Sequence, residues 1–327
     1  MFHHINTIQK PIDSVFNART KAEEIMKSVD TNGKTVVITG GYAGIGWETT
    51  RQLSLNGARV LVGARDLKKA QAALQGMEGV QIFPLDLAKS QSIDTFASLI
   101  SSKVSHVDIL INNAGIMATP LSRDSRGFEM QFATNHLGHF QLTSQLGSLL
   151  KKNGGRVVTL TSAGHRFSPV NLEDPNFNTR LYDKWLAYGQ SKSANSLFAV
   201  ELDRRAKDFG VRAFAVHPGR ILDTGLSRHM TKDELQAMLK AIETAGSSNQ
   251  DYPTKTIEQG ASTTLWCALS PQLADIGGVY CEDCNIAAVA PDDTTLPPGV
   301  KGWAVEQEAA QSLWKLSEDM LSHQFTF

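Results

Sequence analysis

Apolar runs recur along the chain, and each is nearly continuous rather than alternating. They are KTVVIT at 34–39, ARVLVGA at 58–64, VQIFPLD at 80–86, HVDILINNA at 106–114, GRVVTLTS at 155–162 and VRAFAVHP at 211–218. Rich in Val and Ile, they read as strands buried on both faces. Helix-like segments separate them, at 45–56, 66–75, 90–104, 128–151 and 188–208. Strand–helix alternation implies right-handed crossovers, and so a parallel sheet with helices on both faces. A last strand near 278–281 would complete it.

Two insertions break the rhythm, residues 165–185 and 222–255. Long connections at the carboxyl end of a parallel sheet commonly act as lids or pocket walls. The second carries a helical stretch, KDELQAMLKAIE, and is expected to be a substrate lid. The sheet domain spans 34–290. Residues 1–33 precede it as a polar leader in which 15–29 fits an amphipathic helix, stopped by Asn32-Gly33. Residues 291–327 follow as an extension, helical over 302–323.

Composition narrows the field. The 327 residues, 41% hydrophobic, are enough for one large core and require no second. A net charge of -1 without basic tracts gives no footing to nucleic acid. No stretch approaches the ~18 apolar residues of a membrane span, and the start has no signal-type apolar core. A cytoplasmic protein without a membrane partner is expected. The three cysteines, Cys267, Cys281 and Cys284, are too few for a disulfide framework. Cys281 and Cys284 have CxxC spacing but no two further zinc ligands at comparable spacing, so no metal is expected.

The candidate chemistry starts at TGGYAGIG, Thr39 to Gly46, which follows one expected strand and opens a helix. In that setting Gly40 permits a tight turn. Gly44 and Gly46 let backbone approach a pyrophosphate and let helix pack on strand. The helix N-terminus then faces the phosphates. The fold expected is thus α/β, a single-domain Rossmann-type doubly wound parallel sheet. About 20 residues on, where a carboxylate would select NAD, the chain has Gly63-Ala64-Arg65. A small residue followed by a guanidinium leaves room for a 2′-phosphate and donates to it, favouring NADP(H). The alternative for Arg65 is an exposed cation at a helix start. Asp66, one position late, suits the cap of that helix.

Tyr188 and Lys192, in YGQSK, stand at i and i+4 and so share a helix face. A phenol of pKa ~10 exchanges protons poorly near neutrality. An adjacent ammonium is expected to lower it and make an acid–base group. Ser162, upstream in VTLTSAG, would donate to the same substrate oxygen. TLTSAG lacks the GxSxG elbow of a hydrolase. Tyr182 and Tyr252 have no lysine four residues on, although Tyr252 remains a candidate pocket residue. His136 and His139 read as packing or surface histidines, and His165 as a neighbour of substrate.

In order and spacing these segments resemble the short-chain dehydrogenase/reductase family over residues 34 to 290. The TGxxxGIG pattern is matched by Thr39, Gly40, Gly44, Ile45 and Gly46, with Tyr42 inside the same cofactor loop. The resemblance implies that Asp86-Leu87 meets adenine and that Asn113, Ala114 and Gly115 line the nucleotide. It implies that Asn135 holds a proton-relay water, that Pro218-Gly219 turns near the nicotinamide, and that Thr224 binds its carboxamide. Ser162, Tyr188 and Lys192 match the catalytic positions, and Lys192 would also hold the nicotinamide ribose. GARD, LTSAGHR and GGVYCEDC are similar to the retinol dehydrogenase and WW-domain oxidoreductase branch, although the membrane anchor common in retinol enzymes is missing. Arg220 and Asp223 replace the smaller or apolar residues common after the PG turn, where they would touch the pocket or pair with each other. The function implied is reversible reduction of a ketone or aldehyde to an alcohol by NADP(H). A catalytically silent dinucleotide sensor and a light-driven tetrapyrrole reductase are the alternatives. The partner expected is a small carbonyl or alcohol substrate. The long helices at 128–151 and 188–208 imply a homodimer or homotetramer, unless the terminal extensions cover them and leave a monomer.

Overall fold

The computed structural model describes residues 8–222, 224–237, 240, 254–294 and 297–326. Seven parallel strands form its centre: β1 (Thr35–Thr39), β2 (Arg59–Ala64), β3 (Val80–Pro84), β4 (Ile109–Asn112), β5 (Arg156–Leu160), β6 (Arg212–Val216) and β7 (Val279–Glu282). A two-residue antiparallel strand, β8 (Asn285–Ile286), closes the edge, giving the order β3-β2-β1-β4-β5-β6-β7-β8. The chain reverses direction across the sheet between β1 and β4. Doubly wound sheets bind ligands in the crevice at that switch point, outside the carboxyl ends of the strands.

The near-continuous apolar strands follow from burial on both faces. Val37, Leu61, Leu110 and Val157 pack on one side with α4 (Ser90–Lys103), α5 (Gly138–Lys151), α6 (Lys184–Ala206) and α8 (Gln307–Leu321). Val36, Ile38, Val60 and Val158 pack on the other with α1 (Ala22–Met26), α2 (Gly44–Leu55) and α7 (Ile257–Leu269). Helix α3 (Leu67–Ala73) starts at Asp66, whose carboxylate accepts from Lys69 N at 3.0 Å, as the sequence implied.

Three elements differ from expectation. The leader helix is only Ala22–Met26, because Asn17 and Thr20 form a turn and Glu24 reaches back to Lys21 N, starting the helix there. The segment expected as one helix over 128–151 enters α5 through a short α turn, Met130–Phe132, and a π turn, Ala133–Leu137. Helix α6 begins four residues before Tyr188, where Asp183 accepts from Trp185 N and Leu186 N.

The C-terminal extension lies on the outer face of α5 and α6. Trp314 stacks on Phe198 with ring centroids 5.8 Å apart and meets Phe140 edge-on at 4.8 Å. Ser317 hydrogen-bonds His136 at 2.8 Å. The surface on which the resemblance implied subunit contact is covered by the chain itself. Insertion 165–185 is braced internally. Asp174 accepts from Asn178 N, Thr179 N and Arg180 N, and these bonds hold its pKa down at about 2 against the cost of burial. In the second insertion, residues 232–237 are helical as expected. The rest of KDELQAMLKAIE apart from Lys240, together with Asp223 and Tyr252, lies outside the described residues. No described helix is long and apolar enough to cross a membrane.

Candidate active site

The Gly-rich loop joins β1 to α2 and rests on the β4 end. Gly40 has φ +65°, in the left-handed region, and a methyl there would lie 3.1 Å from Ala114 Cβ. Gly44 also has a positive φ, +52°. Gly46 needs glycine for closeness instead, since a methyl would sit 2.5 Å from Gly40 O and from Asn113 Nδ2. The sequence missed Gly41, where a methyl would lie 2.6 Å from Thr50 Oγ1. This backbone cradle at the start of α2 fits a dinucleotide pyrophosphate. Tyr42 and Ile45 are half-buried beside it.

Thr39 ties the loop to the next strand. Its hydroxyl accepts from Asn113 N at 3.0 Å and Ala114 N at 2.9 Å, while Asn113 Nδ2 donates to Thr39 O at 2.9 Å. Gly115 lies between Lys192 Nζ and Asn135 Oδ1, at 3.5 and 3.3 Å from an added methyl. At the end of β2 Arg65 is exposed, next to a cleft that it lines with Pro84, Asp86 and Lys89. The Asp86 carboxylate accepts from Ala88 N and lies 3.5 Å from Lys89 Nζ. Leu87 is buried, its carbonyl oxygen 2.5 Å from where a methyl on Gly138 would lie. Gly219, with φ +94°, turns the chain after Pro218 and packs on the buried Lys255 stem. Thr224 approaches the Gly-rich loop, its Cγ2 3.5 Å from where a methyl on Gly44 would be.

Ser162, Tyr188, Lys192 and Asn135 come together beyond the ends of β4 and β5. Tyr188 is buried, and its ring and Ser162 Oγ both face Gly164, 2.6 and 3.4 Å from where a methyl there would lie. Lys192, one helical turn on, places Nζ 5.8 Å from the phenol ring centroid and donates to Leu160 O at 2.9 Å. The expected lowering of the phenol does not occur in the protein alone. Burial pushes Tyr188 up to about 12, partly offset by the Ser162 hydrogen bond, and burial brings Lys192 down to about 8. Desolvation of both groups outweighs their attraction.

The Asn135 side chain is fully engaged. It accepts from Ile116 N and donates to Ile116 O and Ser191 Oγ, each at 2.9 Å. A relay water could reach Oδ1 only as a second donor, and the same holds for the backbone carbonyl. That carbonyl already accepts from His139 Nδ1 at 2.9 Å, while His139 Nε2 lies 2.9 Å from Thr39 Oγ1. A carbonyl only accepts, so Nδ1 carries the proton and Nε2 accepts from the Thr39 hydroxyl. Burial holds His139 down at about 4, keeping it neutral. Sequence reading took His139 for packing or surface. Its position four residues after Asn135, on the same helical face, was the available signal.

His165 is fully buried. Its Nδ1 donates to Ser162 O at 2.8 Å and its Nε2 accepts from Lys301 N at 3.1 Å, so both ring nitrogens serve the scaffold. His136 packs among Phe132, Phe140 and Phe198. Tyr182 is tied to Thr119 O and Glu129. Cys281 and Cys284 are buried free thiols, and Cys284 Sγ lies 3.3 Å from Ser262 Oγ.

The model of the short chain dehydrogenase family matches residues 34–235. A "probable oxidoreductase" of Streptomyces lividans is 40% identical over 301 residues, covering 90% of this chain and 99% of its own. Human retinol dehydrogenase 11 is 35% identical over 301 residues, covering 90% of this chain and 87% of its own. A solved structure from Mycobacterium paratuberculosis superposes with a TM-score of 0.70 at 33% identity, covering 92% of this chain and 98% of that one.

Proposed function

This chain is an oxidoreductase belonging to the short-chain dehydrogenase/reductase family, and on that premise we propose that it reduces ketones or aldehydes reversibly with NADP(H). The observation that carries the reading is a buried phenol beside Ser162 and one helical turn from Lys192, beyond the end of the sheet that holds the Gly-rich loop. NADP(H), when bound, supplies or takes the hydride. Tyr188 gives its proton to the nascent alkoxide in reduction and takes it back in oxidation. Ser162 holds the substrate oxygen, and Lys192 reaches the ribose side of the site beside Gly115. With its pKa near 12, Tyr188 is protonated at neutral pH, which is the form that reduction needs.

The direct test is NADPH consumption with a panel of small and bulky carbonyl compounds in the dark. No consumption with any of them would favour the silent sensor or the light-driven reaction. Arg65→Asp should raise the KM for NADPH about tenfold or more and lower that for NADH, because a carboxylate repels the 2′-phosphate and accepts from the ribose hydroxyls. Equal cofactor constants before and after would remove Arg65 from the site.

Lys192→Ala tests the tuning of the phenol. An ammonium beside Tyr188 stabilises its anion, so its removal raises the phenol pKa. The rising limb of alcohol oxidation against pH should move up by about one unit or more. An unchanged profile would count against Lys192 as the tuning charge. Coverage of α5 and α6 by α8 supports a monomer among the alternatives of assembly.

A further inference from the structure

Beyond Thr224 the chain forms a short 3-10 turn, Gly225–His229. Thr224 itself is anchored on the Gly-rich loop at Gly44. At ~2.0 Å of rise per residue, Arg228 stands within about 8 Å of that anchor along the turn. Its Nη1 donates to Gly225 O at 2.9 Å, which folds the side chain back over the turn. Arg65 reaches the same region from the end of β2, where Gly40 N bonds Gly63 O at 2.8 Å and so fixes the loop beside that strand end. Both residues are exposed, with the Arg228 guanidinium partly covered by its own turn, and neither has an ion pair with a carboxylate among the described residues.

The electrostatics of the two side chains agree with that placement. Burial and then the Arg65 charge hold Arg228 below its ordinary value, while the Tyr42 phenol acts the other way. Burial, Arg228 and Arg65 together hold His229 down. Two unpaired cations and a histidine gathered at one end of a nucleotide cradle repel one another until an anion separates them. A phosphate dianion accepting from two guanidiniums relieves that repulsion and gains charge-assisted hydrogen bonds.

We infer that Arg228, carried by the connection after β6, is the second cation of the 2′-phosphate site, so that this phosphate is held between the end of β2 and the turn that follows Thr224. The inference rests on the NADP(H) reading above and deepens it, since Arg65 alone is an exposed point of contact and the pair forms a two-sided one. The stretch that begins with the proposed carboxamide contact at Thr224 would then also read the far end of the cofactor.

Calorimetric titration of the full chain with adenosine 2′,5′-bisphosphate and with 5′-AMP tests it. The wild type should bind the bisphosphate at least about tenfold more tightly than the monophosphate. Arg228→Ala should weaken bisphosphate binding about tenfold, leave 5′-AMP within about twofold and leave the melting temperature of the free protein unchanged. Arg228→Lys should recover only part of the loss, because a point charge replaces a fork of donors. A wild type that does not distinguish the two nucleotides overturns the NADP(H) reading, and this inference with it. Discrimination that survives intact in Arg228→Ala but fails in Arg65→Ala overturns this inference alone.

Discussion

Tyr188→Phe should lower the rate of NADPH-dependent carbonyl reduction by about 10²–10⁴-fold while leaving NADPH affinity within about twofold. The substitution removes one oxygen and keeps the ring, which is buried and packed against Gly164. The oxygen lost lies near Ser162, and its removal should change stability by no more than about 1 kcal/mol. Folding and cofactor binding therefore persist, and the proton donor does not. Single-turnover NADPH oxidation and a fluorescence titration of NADPH on the same preparation separate the two effects. A variant that keeps a tenth of the wild-type rate would mean that another group protonates the alkoxide. Tyr182 is a poor substitute, because burial and Glu129 push its phenol upward and its oxygen is held by Thr119 O.

The second large effect belongs to Gly46→Ala. The added methyl would lie 2.5 Å from Gly40 O and from Asn113 Nδ2, and neither wall can yield alone. Asn113 Nδ2 donates to Thr39 O and Gly40 O, so moving it opens the lock between β1 and β4. Overpacking of this kind costs about 1–3 kcal/mol. The same displacement pulls the loop away from where a pyrophosphate would lie, and NADPH affinity should fall about 100-fold or more, since several backbone donors move together. Thermal melting with and without NADPH reads both quantities. Wild-type stabilisation by NADPH in this variant would show that the cradle tolerates a side chain and that the close approach serves packing only.

Much of this site was legible in the chain because its signals are local. Gly40 and Gly44 are demanded by backbone angles, and Tyr188 and Lys192 by helical spacing. The protonation state of Tyr188 was not legible. The i, i+4 lysine argued for a lowered phenol, but burial acts on both groups and comes from residues far away in sequence, so the unliganded phenol rises. His139 escaped for the same reason. Its role exists only where β1 and the π turn meet, through Thr39 Oγ1 and Asn135 O.

Helix α6 separates what each level decides. Its sequence, with Gln190, Ser191, Ser193, Asn195 and Ser196, is polar enough for a surface, yet all five are buried. They are stable there because each finds a partner: Asn195 donates to Leu160 O, Ser193 to His165 O and Ser168 O, Gln190 to Pro175 O and Ser196 to Thr161 Oγ1, all on neighbouring segments, while Ser191 donates to Tyr188 O of its own helix. No periodicity announces such partners. By itself the sequence determined the order of strands and helices, the glycine cradle and the spacing of the acid–base residues. Those depend on backbone conformation and on burial of apolar runs, which neighbouring residues encode. Tertiary structure alone decided which polar groups are paired and how far desolvation moves the phenol and the lysine. Those depend on distances between segments that only the completed fold sets.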